Sequence, residues 1–254
     1  MITKKQTTDL AQYYHIDEFT VAREYLQLVF LNYLYQHKEA SKIYFKGGTA
    51  IHLLFGSPRF SEDLDFSTNY SEGKIKAIIK QTEKEIRGEL PSLKILSLYS
   101  GEKALRFRLK YEGPDFKYPL TIRLDFAKEE SEQTVVSPVV SRFPLVFFPL
   151  ISHLTAEEML AEKVRALLVR GKGRDIFDLW FLLEKGVEID PLLIEKKMKK
   201  VGKKFNKDLL LKKIKNYPQE NLKHNLDRFL PVPQREITTR LKELLPEKIR
   251  EAKF

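Results

Sequence analysis

Two aspartates, Asp63 and Asp65, are separated by a single residue in the sequence Ser-Glu-Asp-Leu-Asp-Phe of residues 61–66. Successive side chains of a β-strand point to opposite faces, so Asp63 and Asp65 are predicted to share one face while Leu64 and Phe66 enter the core. Two carboxylates on one face repel each other unless a cation lies between them, and their oxygens suit a hard ion such as Mg²⁺. The spacing therefore predicts a metal site. The alternative is a solvated strand face.

A glycine pair lies upstream of these acids. Gly47 and Gly48 follow the apolar residues 43–45, which are typical of a buried strand, and glycine permits backbone conformations closed to other residues. Thr49 and the apolar residues 50–55 predict a short buried helix after this turn. The N–H groups and hydroxyl at such a helix N-terminus would suit a phosphate, and the alternative is an ordinary turn.

The Gly-Gly-Thr turn, followed by Arg59, Ser61 and Asp-Leu-Asp-Phe, resembles the AbiEii (AbiEii/AbiGii-type) nucleotidyltransferase toxins of the polymerase-β-like superfamily. The resemblance implies that Asp63 and Asp65 hold metal, with two Mg²⁺ ions expected, and that a nucleoside triphosphate is the substrate. It also implies a nucleotide-binding set made up of Gly47, Gly48, Thr49, Arg59 and Ser61.

A third acid lies on a strand pattern at residues 120–126. Apolar side chains alternate there, which leaves Thr121, Arg123 and Asp125 on the opposite face. The related enzymes place a third acid on a neighbouring strand, so the resemblance implies that Asp125 completes the metal set and activates the attacking hydroxyl. A single acid on an alternating strand is otherwise solvated.

A lysine interrupts the apolar stripe of a later helix. Residues 155–158 form a capping-box pattern, and Lys163 falls within the stripe of Leu160 and Val164. A lysine on an inward face is costly unless it meets an anion. Lys163 is predicted to reach a nucleotide phosphate, as the AbiEii resemblance also implies. The alternative is a packed stem with its ammonium in water.

Two further acids, Asp175 and Asp178, lie three residues apart near the N-terminus of the helix that follows. Alone they would be read as helix caps. The run Arg-Asp-x-x-Asp-Leu is similar to the C-terminal motif of the family, which implies a catalytic Asp175 and a nucleotide-binding Asp178. Which of the two is the functional acid stays open.

The fold is predicted to be α/β (α+β), with a nucleotidyltransferase-like mixed sheet and flanking helices followed by a mainly helical C-terminal domain. Helical spacing covers residues 17–37 and 72–90, and strand patterns cover 93–99, 105–111 and 120–126. Prolines at 138, 144 and 149 indicate edge strands and a crossing connection. We expect a nucleotidyltransferase domain at 1–150 and a helical domain at 151–254 that completes the nucleotide site. Four prolines are expected to divide the last helices: Pro218, Pro231, Pro233 and Pro246.

The amino-acid composition restricts which binding partners and covalent or metal sites the protein can have. The chain of 254 residues has a net charge of +10, and residues 196–215 contain ten lysines and one acid, Asp208. Such a surface attracts RNA, although solubility is an equal interpretation. The absence of cysteine excludes disulfides and thiolate metal sites. No apolar run approaches the roughly 20 residues that span a bilayer, so a cytoplasmic protein without membrane contact is expected.

The predicted reaction is transfer of a nucleoside monophosphate from a triphosphate to an acceptor hydroxyl. By resemblance the acceptor is a tRNA end, the outcome is growth arrest by abortive infection, and a cognate antitoxin is encoded alongside. One alternative is a non-catalytic RNA-binding protein on the same fold. Another is an enzyme that modifies protein or small-molecule hydroxyls.

Overall fold

The computed structural model describes residues 1–139, 141, 143 and 150–252. Over these residues the α-helices are α1 Lys4–Tyr14, α2 Glu18–Leu34, α3 Gly47–Phe55, α4 Glu72–Ile86, α5 Ala156–Val169, α6 Gly173–Glu184, α7 Pro191–Lys199, α8 Lys207–Lys215, α9 Gln219–Leu226 and α10 Ile237–Glu251. The strands are β1 Tyr44–Lys46, β2 Leu64–Thr68, β3 Lys94–Ser100, β4 Ala104–Tyr111, β5 Leu120–Lys128, β6 Thr134–Pro138 and β7 Leu150–Leu154.

The chain divides into two compact units. The N-terminal unit contains Met1–Gly56 and Phe60–Leu154, and the C-terminal unit contains Ser57–Arg59 together with the chain from Thr155 onward. The C-terminal unit is therefore discontinuous in sequence.

The N-terminal unit is built on a mixed sheet with the strand order β3-β4-β5-β2-β1-β7-β6. β2 runs parallel to β5 and β1 runs parallel to β7, while the other neighbours are antiparallel. The predicted alternation is confirmed, because Leu64, Phe66, Leu124 and Phe126 are all completely buried. The rings of Phe66 and Phe126 stack with centroids 4.8 Å apart. The predicted mixed sheet with flanking helices is thus confirmed.

Two details of this unit differ from the prediction. The helix expected over 72–90 ends at Ile86, because the chain turns at Gly88, a poor helix former. Strand β7 follows the proline-containing segment directly and had no alternating pattern to predict it. Pro138 ends the edge strand β6, where a missing N–H is tolerated. Pro144 and Pro149 lie outside the described residues.

The C-terminal unit has helices and no strand within its described residues. Thr155 caps α5, because its side chain accepts a hydrogen bond from the backbone N–H of Glu158. Pro246 does not divide two helices, as the sequence suggested, but lies inside α10. The helix continues through it because Leu241, Leu245 and Ile249 keep one buried face. In the described ranges, no helix is both long enough and apolar enough to cross a membrane.

Candidate active site

Three acids lie on one face of the sheet in the N-terminal unit. Asp65 on β2 pairs directly with Asp125 on the parallel strand β5. Asp63 immediately precedes β2 and lies two residues from Asp65, on the same side. All three side chains are partly exposed. The folding of two alternating strands therefore places the three acids that the sequence singled out on one face of the sheet.

Arginines lie against two of these acids. Arg106 Nε on β4 donates to Asp125 Oδ2 at 3.0 Å, and Arg123 on β5 pairs with Asp63. Both arginine side chains are about half exposed, so neither is fixed by burial. Arg123 lies on the strand face that was predicted for Asp125, but the pairing of these two arginines with the acids was not predicted.

The chemistry of these donors fits a hard cation, because partly exposed carboxylate oxygens lie on neighbouring strands. In the described part of the chain, however, no three His, Cys, Asp or Glu side chains are close enough together to hold one ion. Metal binding at Asp63, Asp65 and Asp125 would therefore require their side chains to turn toward one another. A bound ion would have to displace Arg106 from Asp125 and Arg123 from Asp63.

The first turn of α3 lies beside Asp65. The helix begins at Gly47, whose φ of +86° is rarely adopted by residues with a side chain. A Cβ built on Gly47 would lie 2.4 Å from Oδ2 of Asp65. Glycine is thus required here both by the backbone conformation and by the neighbouring carboxylate. Gly48, in the same turn, is buried.

Thr49 does not present its hydroxyl as the sequence suggested. The residue is 1% exposed, and its hydroxyl donates to the backbone carbonyl of Asp63. This bond ties the start of α3 to the segment that carries the acids. Ser61 also contributes a backbone group to this segment, since its carbonyl accepts from Gln27 Nε2 at 3.0 Å. The expectation of an available Thr49 hydroxyl is therefore wrong, whereas its N–H still belongs to the first helical turn.

Lys46 was missed by the sequence analysis. It is the last residue of β1, pairs with Asp65 in the strand register, and forms an ion pair with Glu129 just after β5. Its side chain is largely buried. A lysine directly before the glycine pair was the available signal. Its position places a cation on β1, the strand next to the one that carries Asp65.

The C-terminal unit contains a buried charge network. Arg59 donates to both oxygens of Asp178, at 2.7 and 2.9 Å, and Lys163 Nζ lies 2.6 Å from Asp178 Oδ2. Lys163 also lies 3.5 Å from Asp175, which accepts two 3.0 Å hydrogen bonds from Arg170. Asp175 and Asp178 are almost completely buried, while Arg170 is about half exposed. Four of the predicted site residues thus form one network.

The network explains how an inward-facing lysine is tolerated. Lys163 does meet anions, as predicted, but these are the carboxylates of Asp175 and Asp178. The alternative of an ammonium in water is wrong, because the side chain is only 9% exposed. Burial by itself would raise the pKa of Asp178, but the positive charges of Arg59 and Lys163 outweigh it and lower that pKa to about 2.

A second buried lysine lies in the same unit. Lys197 Nζ is 2.7 Å from Glu158 and 2.8 Å from Glu162. Burial alone would lower the pKa of Lys197, yet the two glutamates raise it. Lys213 Nζ donates to the carbonyl of Leu168 at 2.6 Å. The lysine-rich segment 196–215 is therefore not a uniformly solvated face, since two of its lysines hold the helices together.

Solved structures of other proteins share this architecture. MenT4, a nucleotidyltransferase toxin from Mycobacterium tuberculosis H37Rv, superposes with a TM-score of 0.66 at 17% identity, over 100% of this chain and 91% of that one. JHP933 from Helicobacter pylori superposes with a TM-score of 0.57 at 20% identity, over 93% of this chain and 95% of that one. These identities are low, so the likeness shows a shared fold.

The amino-acid sequence itself shows the family. The model of the nucleotidyl transferase AbiEii toxins of type IV toxin–antitoxin systems matches residues 29–252, and the chain belongs to this family. No curated protein sequence matches the chain significantly.

Proposed function

We propose that this protein transfers a nucleoside monophosphate from a nucleoside triphosphate to the hydroxyl of a tRNA end. The observation that carries the proposal is the register of Asp65 with Asp125, with Asp63 on the same face and the start of α3 beside Asp65. Carboxylates and helix N–H groups in one place are what a triphosphate and its metal require.

The acids have the roles of metal ligands and base. Mg²⁺ would be held by Asp63, Asp65 and Asp125, with two ions by analogy with related enzymes, once Arg106 and Arg123 no longer pair with these acids. Bound magnesium would supply positive charge to the attacking and leaving oxygens. Asp125 also accepts the proton of the acceptor hydroxyl as this attacks the α-phosphorus. Pyrophosphate leaves.

The remaining residues bind and position. The N–H groups of Gly47, Gly48 and Thr49 donate to phosphate oxygens at the N-terminus of α3. In the C-terminal unit, Lys163 neutralises charge that develops on the phosphates. Asp178 is fully buried, so we assign it, with Arg59 and Asp175, to holding Lys163 in place.

The acceptor and the cellular role follow from charge and family. Exposed lysines in segment 196–215 would attract the tRNA backbone. The family is described as toxins of type IV toxin–antitoxin systems, so we propose that transfer arrests growth and that a cognate antitoxin relieves it.

The test is label transfer by the purified full-length chain. The protein is incubated with each α-labelled nucleoside triphosphate, Mg²⁺, and either total tRNA or cell protein. We expect label in tRNA, with at least roughly 10²-fold less in Asp65→Asn. Glu112→Gln is the matched control, because Glu112 is an exposed acid at the end of β4, and it should match the wild type.

The destination of the label decides between the alternatives. Label in protein would show that the acceptor is a protein hydroxyl and not RNA. If none of the four triphosphates gave transfer, the catalytic proposal would be rejected. The alternative of a non-catalytic RNA-binding protein would then be favoured. If Asp65→Asn transferred as much label as the wild type, the three acids would not be part of the active site.

A further inference from the structure

A cleft in the C-terminal unit is not used by the proposed reaction. It lies along α6 and the start of α10 and has a volume of about 490 Å³, within the roughly 300–1,000 Å³ typical of ligand sites. Five of its eleven lining residues are aromatic or proline: Pro58, Phe177, Trp180, Phe181 and Pro233. A flat apolar ligand would find rigid surfaces here.

The periodicity of α6 explains this lining. Phe177, Trp180, Phe181 and Glu184 follow the i, i+3, i+4, i+7 pattern of one helix face. Phe177 is completely buried, and its ring centroid is 5.5 Å from that of Trp180. Trp180 itself is partly exposed. The buried phenyl ring thus supports the indole, which keeps some of its surface open to a ligand.

The edge of the cleft is charged. Lys185 and Arg240 line it together with Glu184 and Glu236, and Lys248 Nζ lies 3.1 Å from Glu184. The lining thus has two cations and two acids, and one of these acids, Glu184, is already paired with Lys248 from outside the lining. Lys185 Nζ lies over the ring of Phe181, 5.6 Å from its centroid. A ligand that fits is one with an aromatic plane and a negative charge.

We propose that this cleft binds an unpaired nucleobase of single-stranded RNA. The base stacks on Trp180, its amino group donates to a cleft glutamate, and the adjoining phosphate lies at Arg240. An apolar peptide would gain nothing from the two cations at the edge, Lys185 and Arg240. RNA is also favoured by the exposed lysines of segment 196–215 in the same unit. The choice of RNA as the ligand rests on the proposed function. The presence and lining of the cleft are independent of it.

Trp180 makes the proposal directly testable, because it is the only tryptophan of the chain. Single-stranded RNA should quench the indole emission of the full-length protein saturably, while a duplex of equal length and free nucleoside triphosphates should quench it much more weakly. Equal quenching by duplex RNA or by a triphosphate at the same concentration would overturn the assignment to single-stranded RNA.

Variants separate stacking from non-specific attraction. In a binding assay with end-labelled RNA, Trp180→Leu should bind at least about 5-fold more weakly, since stacking is lost, and Trp180→Phe should restore most of the affinity. Arg240→Gln, at an exposed position, should also weaken binding and blunt the quenching. Tyr118→Leu removes an exposed aromatic ring from the N-terminal unit and should have no effect. Unchanged affinity in Trp180→Leu would overturn the proposal.

Label transfer measured in parallel separates the two proposals. If tRNA is labelled but RNA does not perturb Trp180, the cleft proposal fails alone. If RNA perturbs Trp180 and no label is transferred, the cleft proposal stands and the enzymatic one fails.

Discussion

The carboxylate of Asp65 occupies the space that a side chain on Gly47 would need. A Cβ there would lie 2.4 Å from Asp65 Oδ2, and the φ of Gly47 is +86°. The start of α3 and the central acid of the sheet are therefore fitted to each other. A side chain at position 47 would therefore displace the carboxylate of Asp65.

We expect Gly47→Ala to lower nucleotide transfer by at least roughly 10²-fold, because Asp65 must move. The left-handed conformation should also cost about 1–2 kcal/mol of unfolding free energy. Gly56→Ala is the matched control: Gly56 ends the same helix at φ +73°, and a Cβ added to it would meet nothing within 4 Å. It should lose similar stability but keep its activity. Equal activity losses in both would assign the effect to strain alone.

Lys163→Met and Lys197→Met form a pair that separates function from structure. Both remove a buried ammonium from two carboxylates. Each variant should lose about 1–3 kcal/mol of unfolding free energy, since buried acids lose a partner. Only Lys163→Met should lower transfer by roughly 10²-fold or more, measured well below the unfolding temperature. Matching activities in the two variants would make Lys163 a structural residue.

The exposed lysines of segment 196–215 are expected to contact RNA phosphates. The variant replaces five by Gln: Lys199, Lys203, Lys204, Lys212 and Lys215. RNA affinity should fall, and the slope of log K against log salt should decrease by roughly 0.7 per lost contact. Lys197 and Lys213 are left unchanged because they hold helices together.

A control for this variant removes the same charge from the N-terminal unit. It replaces five exposed lysines by Gln: Lys38, Lys42, Lys80, Lys84 and Lys103. If the control weakens binding and its salt dependence equally, net charge rather than a defined surface attracts the RNA.

The charge network predicts an acid-dependent stability. The pKa of Asp178 is lowered from 3.8 to about 2, because Arg59 and Lys163 outweigh the effect of burial. A lowered pKa stabilises the fold above the ordinary value, so this contribution, on the order of 2 kcal/mol, is lost as pH falls from about 4 to 2. Denaturant unfolding at several pH values should show a shallower acid loss for Asp178→Asn. Parallel profiles would contradict the assignment.

Alternating patterns made the central strands predictable. Residues 105–111 and 120–126 place apolar side chains at every second position, and both became strands with that face buried. The shared face of Asp63 and Asp65 followed from the same period. The grouping of Asp125 with them was implied only by the family resemblance, and its register opposite Asp65 could not be predicted, because that register depends on contacts between segments some sixty residues apart.

The ion-pair partners of the buried charges could not be predicted from the sequence either. The apolar stripe showed that Lys163 faces inward and needs an anion, but not which one. Arg59 and Asp178 are separated by 119 residues, and no local pattern joins them. Strand β7 was missed because five residues after a proline-rich segment are too few to show a period.

The separation of Arg59 from Asp178 also orders events during synthesis. Arg59 leaves the ribosome 119 residues before the acid that receives it. Domains generally fold as units from the N-terminus, so the sheet can close once Leu154 has emerged. Residues 57–59 must then remain hydrated while α5 and α6 are translated. An early segment is therefore captured by a helix that is synthesised later, and a chain truncated before Asp178 would leave Arg59 without this acceptor.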